Sequence, residues 1–288
     1  MEPRAYSPTP VGTNFIASVL GVSDGEVLVD PTLPLSDVQA TFALASVGYG
    51  RTFGLFRRPA LVAIAVPFVH GHVEGQVQEQ ARRVERTGFG DLRVRLSTQL
   101  FGPRAMTPAE FATAPRKTIV GASLVVQAPT GEYDETKLVN LGTNRWAFKP
   151  ELGVSVPVGR WFLDAYAGAW LFTANDTFYP GDSVRRQDPL RTIQGHGSYT
   201  LPSHAWVAFD ATWYGGGEAA LNGGPPTTRQ SNTRIGATVS LPLPKQQSIK
   251  IAASTGAAVR SGSDFDTLLV AWQIVWFDRP RPVAPGAP

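Results

Sequence analysis

Runs of roughly ten residues in which apolar and polar side chains alternate recur along this chain, and that period of two confines it to β-strands. Between Arg145 and Val156, Trp146, Phe148, Pro150, Leu152, Val154 and Val156 share one face. Arg145, Ala147, Lys149, Glu151, Gly153 and Ser155 share the other. The segment Asp91 to Phe101 sets Leu92, Val94, Leu96, Thr98 and Leu100 against Asp91, Arg93, Arg95, Ser97 and Gln99. Arg234 to Leu241 and Thr267 to Phe277 repeat the pattern, the last with a less polar second face. In each case one side suits hydrocarbon and the other suits water.

About twelve such runs can be placed, an even number as in single-chain bacterial barrels. They lie near residues 12–23, 37–51, 59–71, 88–101, 116–129, 145–157, 160–173, 190–201, 204–215, 231–242, 248–259 and 265–277. In the second and third runs either parity can face lipid. Links such as Pro157-Val158-Gly159-Arg160, Leu201-Pro202-Ser203-His204 and Leu243-Pro244-Lys245-Gln246 are tight, whereas 131–144, 175–189 and 216–230 are long and polar. Tight periplasmic turns opposite long extracellular loops are the signature of an outer-membrane barrel. The link 102–115 is the exception, and Thr107-Pro108-Ala109-Glu110 marks a short helix there.

Composition points the same way. Charged residues are only 17% of the 288, below the roughly 25% of a soluble domain, while apolar residues reach 43%. The longest apolar run, Ala60 to Val69, is half a membrane helix but a full tilted membrane strand. Closed barrels and helices alone satisfy every backbone group in a bilayer, so the expected fold is all-β: an antiparallel up-and-down transmembrane barrel of about twelve strands. A soluble β-sandwich or water-soluble barrel is the competing reading, since its strands also alternate. Against it, one face repeatedly carries Arg, Lys, Glu and Asp.

There is no cysteine, which excludes disulfides and thiolate metal sites. A net charge of +3 with scattered Lys and Arg gives no reason to expect nucleic acid. Met1-Glu2-Pro3-Arg4 does not look like a signal peptide, so the expectation is a mature form of an exported protein. The expected division is a periplasmic N-terminal extension at 1–10, a barrel at 11–277 and a Pro-rich periplasmic tail at 278–288. The extension is too short for a globular plug but long enough to tuck into the periplasmic mouth. Trp146, Trp161, Trp206, Trp213, Trp276 and Phe277 sit at strand ends, where amphipathic rings meet the headgroups.

Two stretches carry a family resemblance. Gly88-Phe89-Gly90-Asp91-Leu92-Arg93-Val94-Arg95-Leu96 is one. The other is Pro129-Thr130-Gly131-Glu132-Tyr133-Asp134, continuing to Leu141-Gly142-Thr143-Asn144-Arg145-Trp146. They resemble the outer-membrane proteins grouped as the MetA-pathway-of-phenol-degradation family, from about Tyr6 to Phe277. The resemblance implies a transporter in the bacterial outer membrane, in a family linked to the handling of phenolic and other aromatic compounds; it implies transport but not the substrate. It departs from the usual barrel in having Asp278 to Pro288 after the terminal aromatics Trp276-Phe277.

If the polar faces line a lumen, Asp91, Arg93, Arg95, Lys149, Glu151, Asp164, Tyr166, Gln194, His196, Asp210, Arg234 and Lys250 project into it. An open pore and an interior filled by ion pairs both fit such a set, the second giving a structural or adhesion barrel. An enzyme needs a nucleophile and a base on one face; His196 and Ser198, two apart, offer a weak version, with Asp164 and Asp210 nearby as orienters. His70 and His72 share a face but lack further ligands, so no metal and no other cofactor is expected. Gly215-Gly216-Gly217 has no helix or lysine after it and reads as an outer loop. The expected partners are outer-membrane lipids and lipopolysaccharide, the barrel-assembly machinery and a small-molecule solute.

Overall fold

The structure is a computed structural model describing residues 2–28, 35–77, 80–260 and 262–278. In chain order its strands are β1 (Thr13–Leu28), β2 (Leu35–Leu55), β3 (Arg58–Val77), β4 (Gln80–Phe89), β5 (Arg93–Phe101) and β6 (Ile119–Gln127). Then come β7 (Ala147–Val158), β8 (Trp161–Phe172), β9 (Asn175–Phe178), β10 (Ser183–Gln187) and β11 (Leu190–Thr200). The chain finishes with β12 (Trp206–Gly216), β13 (Ala219–Leu221), β14 (Gln230–Leu243), β15 (Gln247–Ala258) and β16 (Gly262–Phe277). The helix α1 (Pro108–Thr113) sits in the long link between β5 and β6.

Thirteen of these strands form one antiparallel sheet that closes on itself where β1 pairs with β16. β4 and β5 both pair with β3, the first along its upper half and the second along its lower half. They are one wall position broken at Gly90–Leu92, so the described residues build a twelve-stranded barrel, with every run expected from the sequence present. Closure through the β1–β16 pairing makes the wall continuous, which is what allows a sheet to stand in hydrocarbon, while β4, among the described residues, has β3 as its one strand partner.

Residues paired across neighbouring strands share a face, so the register fixes what points where. Outward lie Leu20 on β1, Leu152 on β7, Leu163 on β8, Ile193 on β11 and Phe209 on β12, all at least half exposed. An exposed belt of this kind is tolerable only against lipid. Inward face Lys149 and Glu151 on β7, Asp164 and Tyr166 on β8, His196 on β11 and Asp210 on β12, with Glu151, Asp164, Tyr166, His196 and Asp210 buried. A soluble fold would invert this arrangement.

The two ambiguous runs resolve in one direction. Opposite Arg93 and Arg95 stand Ala65 and Ala63, so the inward side of β3 is Leu61, Ala63, Ala65, Pro67 and Val69. By the same register β2 turns Phe42, Leu44, Ser46, Gly48, Gly50 and Thr52 inward, and β1 turns Phe15, Ala17 and Val19 inward. The inner wall here is apolar and small, like the outer face, which is why alternation could not choose. The lumen therefore has a greasy side and a charged side.

Turns at the periplasmic end are tight, with positive φ at Phe56 and Arg57, at Gly159, and at Lys245 and Gln246. The helix is held there by a capping box: the Thr107 side chain accepts from Glu110 N, and the Glu110 carboxylate accepts from Thr107 N at 2.7 Å. At the other end β9, β10 and β13 form a small separate sheet over the barrel. The seam is clasped at its base by Asp278, which accepts from Asn14 Nδ2 at 2.9 Å and from Arg51 at 2.6 Å. Most of the Pro-rich tail lies outside the described residues.

Candidate functional site

The charged side of the lumen is occupied by the chain's own N-terminus. Residues 2–10 run along the inner wall, with Tyr6 only 4% exposed. Arg4 N donates to Asp164 Oδ2 at 3.2 Å, and its guanidinium donates to Ser198 Oγ and Thr200 Oγ1, both at 2.7 Å. That guanidinium lies between the rings of Phe162 and Trp206, 4.7 and 4.8 Å from their centroids. Ala5 N donates to Tyr166 Oη at 3.1 Å. Glu2 accepts from Arg95 Nη1 at 3.0 Å.

Tyr6 rests in a dent that the wall makes by omission. Gly121 on β6 and Gly153 on β7 are direct cross-strand partners. A Cβ at either would come within 2.3 Å of the Tyr6 ring. The next inward pair along these strands is Ser123 and Glu151. Tyr6 Oη lies 2.9 Å from Ser123 Oγ and donates to Glu151 Oε1 at 3.2 Å. Tyr166, partner of Gly153 on the far side, meets the Tyr6 ring edge to face at 5.1 Å. The Arg95 guanidinium stands 5.6 Å from the ring centre.

The residues expected in the lumen sort into networks. Glu151 also takes Lys149 Nζ at 2.5 Å and Gln194 Nε2 at 3.0 Å, which makes it the hub of the charged wall. His196 Nδ1 lies 2.6 Å from Asp210 Oδ1, and Asp210 Oδ2 accepts from Thr238 Oγ1 at 3.1 Å. Arg234 donates to Ser254 Oγ at 3.3 Å and to the Phe265 carbonyl oxygen. Lys250 Nζ stands 5.6 Å from the Trp206 ring centre, and Arg93 Nε donates to Gln127 Oε1 at 3.2 Å. Ser198 is fully buried under Arg4, so the His196/Ser198 arrangement offers no open nucleophile. His70 is bonded to Thr87 on the outer face and His72 lies between Glu74 and Glu85. No group of side chains fit to hold a metal occurs among the described residues.

Asp91 does something the alternation did not suggest. It sits in the break between β4 and β5 and binds the loop 128–146. Its carboxylate accepts from Gly131 N at 2.9 Å, Gln127 Nε2 at 2.9 Å, Thr143 N at 3.0 Å and Thr143 Oγ1 at 2.6 Å. Gly131 and Gly142 pack backbone to backbone beside it, where a Cβ would meet the other's main chain at 2.6 to 2.7 Å. In the same loop, the hydrogen-bonded ion pair with Lys137, and then bonds from Thr136, hold the Asp134 carboxyl down at about 2. Trp206, expected at a headgroup, faces the lumen instead, because its cross-strand partner Ser240 is inward. The expectation that the N-terminal extension can tuck into the periplasmic mouth rests on its length alone, and the segment goes further, along the inner wall; Gly121 and Gly153 on otherwise regular strands are the sequence feature that marks where it lodges.

A closed cylinder of twelve strands, apolar outside and ion-paired within, defines a membrane-spanning β-barrel of the Gram-negative outer-membrane type. More particularly, the chain belongs to the family described as "Putative MetA-pathway of phenol degradation", whose profile matches residues 17–270. Among solved structures it is similar to the COG4313 outer membrane channel from Pseudomonas putida F1. There the identity is 21% with a TM-score of 0.82, covering 96% of this chain and 100% of that one. The transport unit of the autotransporter AIDA-I from Escherichia coli aligns at 10% identity with a TM-score of 0.53, covering 97% of this chain and 93% of that one. Among curated proteins no relative matches.

Proposed function

We propose that this protein is a passive channel of the bacterial outer membrane for small molecules, with aromatic or hydrophobic compounds as the solute class. On this reading it is exported with its signal removed, assembled by the barrel machinery and surrounded by outer-membrane lipid and lipopolysaccharide. One observation carries the channel reading: the barrel is not filled by its own wall. The inner faces of β1, β2 and β3 hold small residues such as Ala17, Gly48, Ala63 and Ala65. The space is taken instead by a terminal segment held by hydrogen bonds, one ion pair and ring contacts, with no strand pairing to the wall. A wall-filled barrel would be a permanent structure; a segment-filled one can be emptied.

Between that segment and the greasy side remains a cavity of about 240 Å³. Phe15, Leu61 and Val275 line one flank and Arg4 and Tyr6 the other. An apolar strip facing a polar one suits solutes that are themselves two-sided. The test is conductance in planar bilayers of the parent and of a form lacking residues 2–7, with stepwise currents expected to be larger in the shortened form. If neither form conducts or admits solutes in a liposome-swelling assay, the barrel is a closed structural one.

A further inference from the structure

The side chain of Tyr6 is a 4-alkylphenol, and the barrel wall treats it as a ligand. Its floor is two facing glycines on neighbouring strands, which is the only way a flat ring can lie against the backbone without displacing a Cβ. At one end a carboxylate and a hydroxyl receive the phenolic group: Glu151 Oε1 at 3.2 Å and Ser123 Oγ at 2.9 Å. Tyr166 closes the edge at 5.1 Å. Arg95 stands near the ring at 5.6 Å. Floor, acceptors and edge all belong to the barrel wall, and the residue that fills the slot belongs to a segment without a strand of its own.

We propose that the slot formed by Gly121, Gly153, Ser123, Glu151 and Tyr166 is a binding site for free hydroxyaryl solutes, and that Tyr6 occupies it as a tethered stand-in. This rests on the channel reading above and gives it a solute class and a location. The ligand is a neutral phenol whose position opposite the hydroxyl is free or bears a small alkyl group, because that is where the Tyr6 chain departs. The hydroxyl donates to the Glu151 carboxylate, and no bond is made or broken. Ring contact alone is insufficient, since Glu151 and Ser123 would face a bare hydrocarbon edge and lose a partner. Solute and N-terminal segment therefore exclude one another from the slot. Arg4 and Glu2 keep the segment close by while a solute is bound, through contacts with Ser198, Thr200 and Arg95 that do not involve the slot floor.

The experiment uses the full chain in detergent micelles, titrated calorimetrically with 4-methylphenol and with toluene, which differs by the hydroxyl. Tyr6→Ala is expected to bind 4-methylphenol saturably and at least tenfold more tightly than the parent, with toluene at least tenfold weaker. Adding Gly121→Ala to Tyr6→Ala should abolish that binding. The three atoms nearest a Cβ at Gly121 all belong to the Tyr6 ring, so this second change fills the place of the ring that Tyr6→Ala removes and also controls for partition into micelles. Band shifts on unboiled gels report folding. Should Tyr6→Ala not fold, Tyr6→Phe keeps the ring and is expected to bind 4-methylphenol with an affinity between the parent and the tenfold gain.

Equal affinity in parent and variant, equal affinity for toluene, survival of binding after Gly121→Ala, or no binding by the folded variant each overturns the site. Conductance of the same Tyr6→Ala preparation separates the two proposals. Currents without binding remove the site and leave the channel, whereas binding without currents removes the channel and leaves the site.

Discussion

Replacing Asp91 by alanine takes one carboxylate from the point where the wall strand breaks and leaves four donors without their acceptor. Two of them, the Gln127 amide and the Thr143 hydroxyl, can rotate towards water. The other two, Gly131 N and Thr143 N, are main-chain groups fixed beside the Gly131–Gly142 backbone contact and cannot. An orphaned backbone donor in such a place costs about 1 to 2 kcal/mol, so the loop 128–146 should lose about 2 to 4 kcal/mol of local stability. At 1.36 kcal/mol per decade, its opening equilibrium rises roughly 30- to 900-fold. Amide hydrogen exchange reads that quantity directly in the native state. Gly131 and Thr143 are expected to exchange faster by this factor, while Ser123 and Val125, inside the β6 ladder, stay protected. If Gly131 and Thr143 keep their parental protection in Asp91→Ala, the carboxylate is not what holds the loop to the wall.

Three further outcomes follow from the geometry. Arg93→Ala combined with Arg95→Ala removes two inward cations and releases Glu2 from its partner, so bilayer reversal potentials should move towards cation selectivity. Leu152→Arg puts a charge on the lipid face at the middle of β7, and liposome refolding in urea should show a loss of about 2 to 4 kcal/mol. Asp134 should titrate near 2 in a pH series followed by NMR. Because its folded value is depressed, whatever its bonds contribute is complete at neutral pH and disappears only as pH falls through about 2.

The barrel was legible because lipid imposes one rule on every strand: wherever the inner face needed charge, as at Lys149 and Glu151, the outer face had to be apolar and the period of two stood out. Where the inner face is small and greasy, as at Ala63 and Ala65, the two sides look alike and the parity was lost. Trp206 was misjudged for a related reason, since a tryptophan at a strand end suits a headgroup or a cation inside the lumen equally well, and only the register with Ser240 decides. The stretches that carried the family resemblance turn out to meet in space, Asp91 from one binding Gly131 and Thr143 from the other. Strand periodicity contains no term for such a loop contact. It has none for the N-terminal segment either: Glu2 to Tyr6 have no period of their own, and their place is dictated by what Gly121 and Gly153 leave out.

That Asp278 fastens the outside of the seam while Glu2 reaches Arg95 within the cylinder makes the two ends of the chain unequal to anyone engineering it. An affinity handle appended ahead of Glu2 must share the bore with Arg4 and Tyr6 or pull them out of it. At the other end Asp278 is engaged with Asn14 and Arg51, and none of the contacts that Glu2, Arg4 and Tyr6 make within the bore involves it.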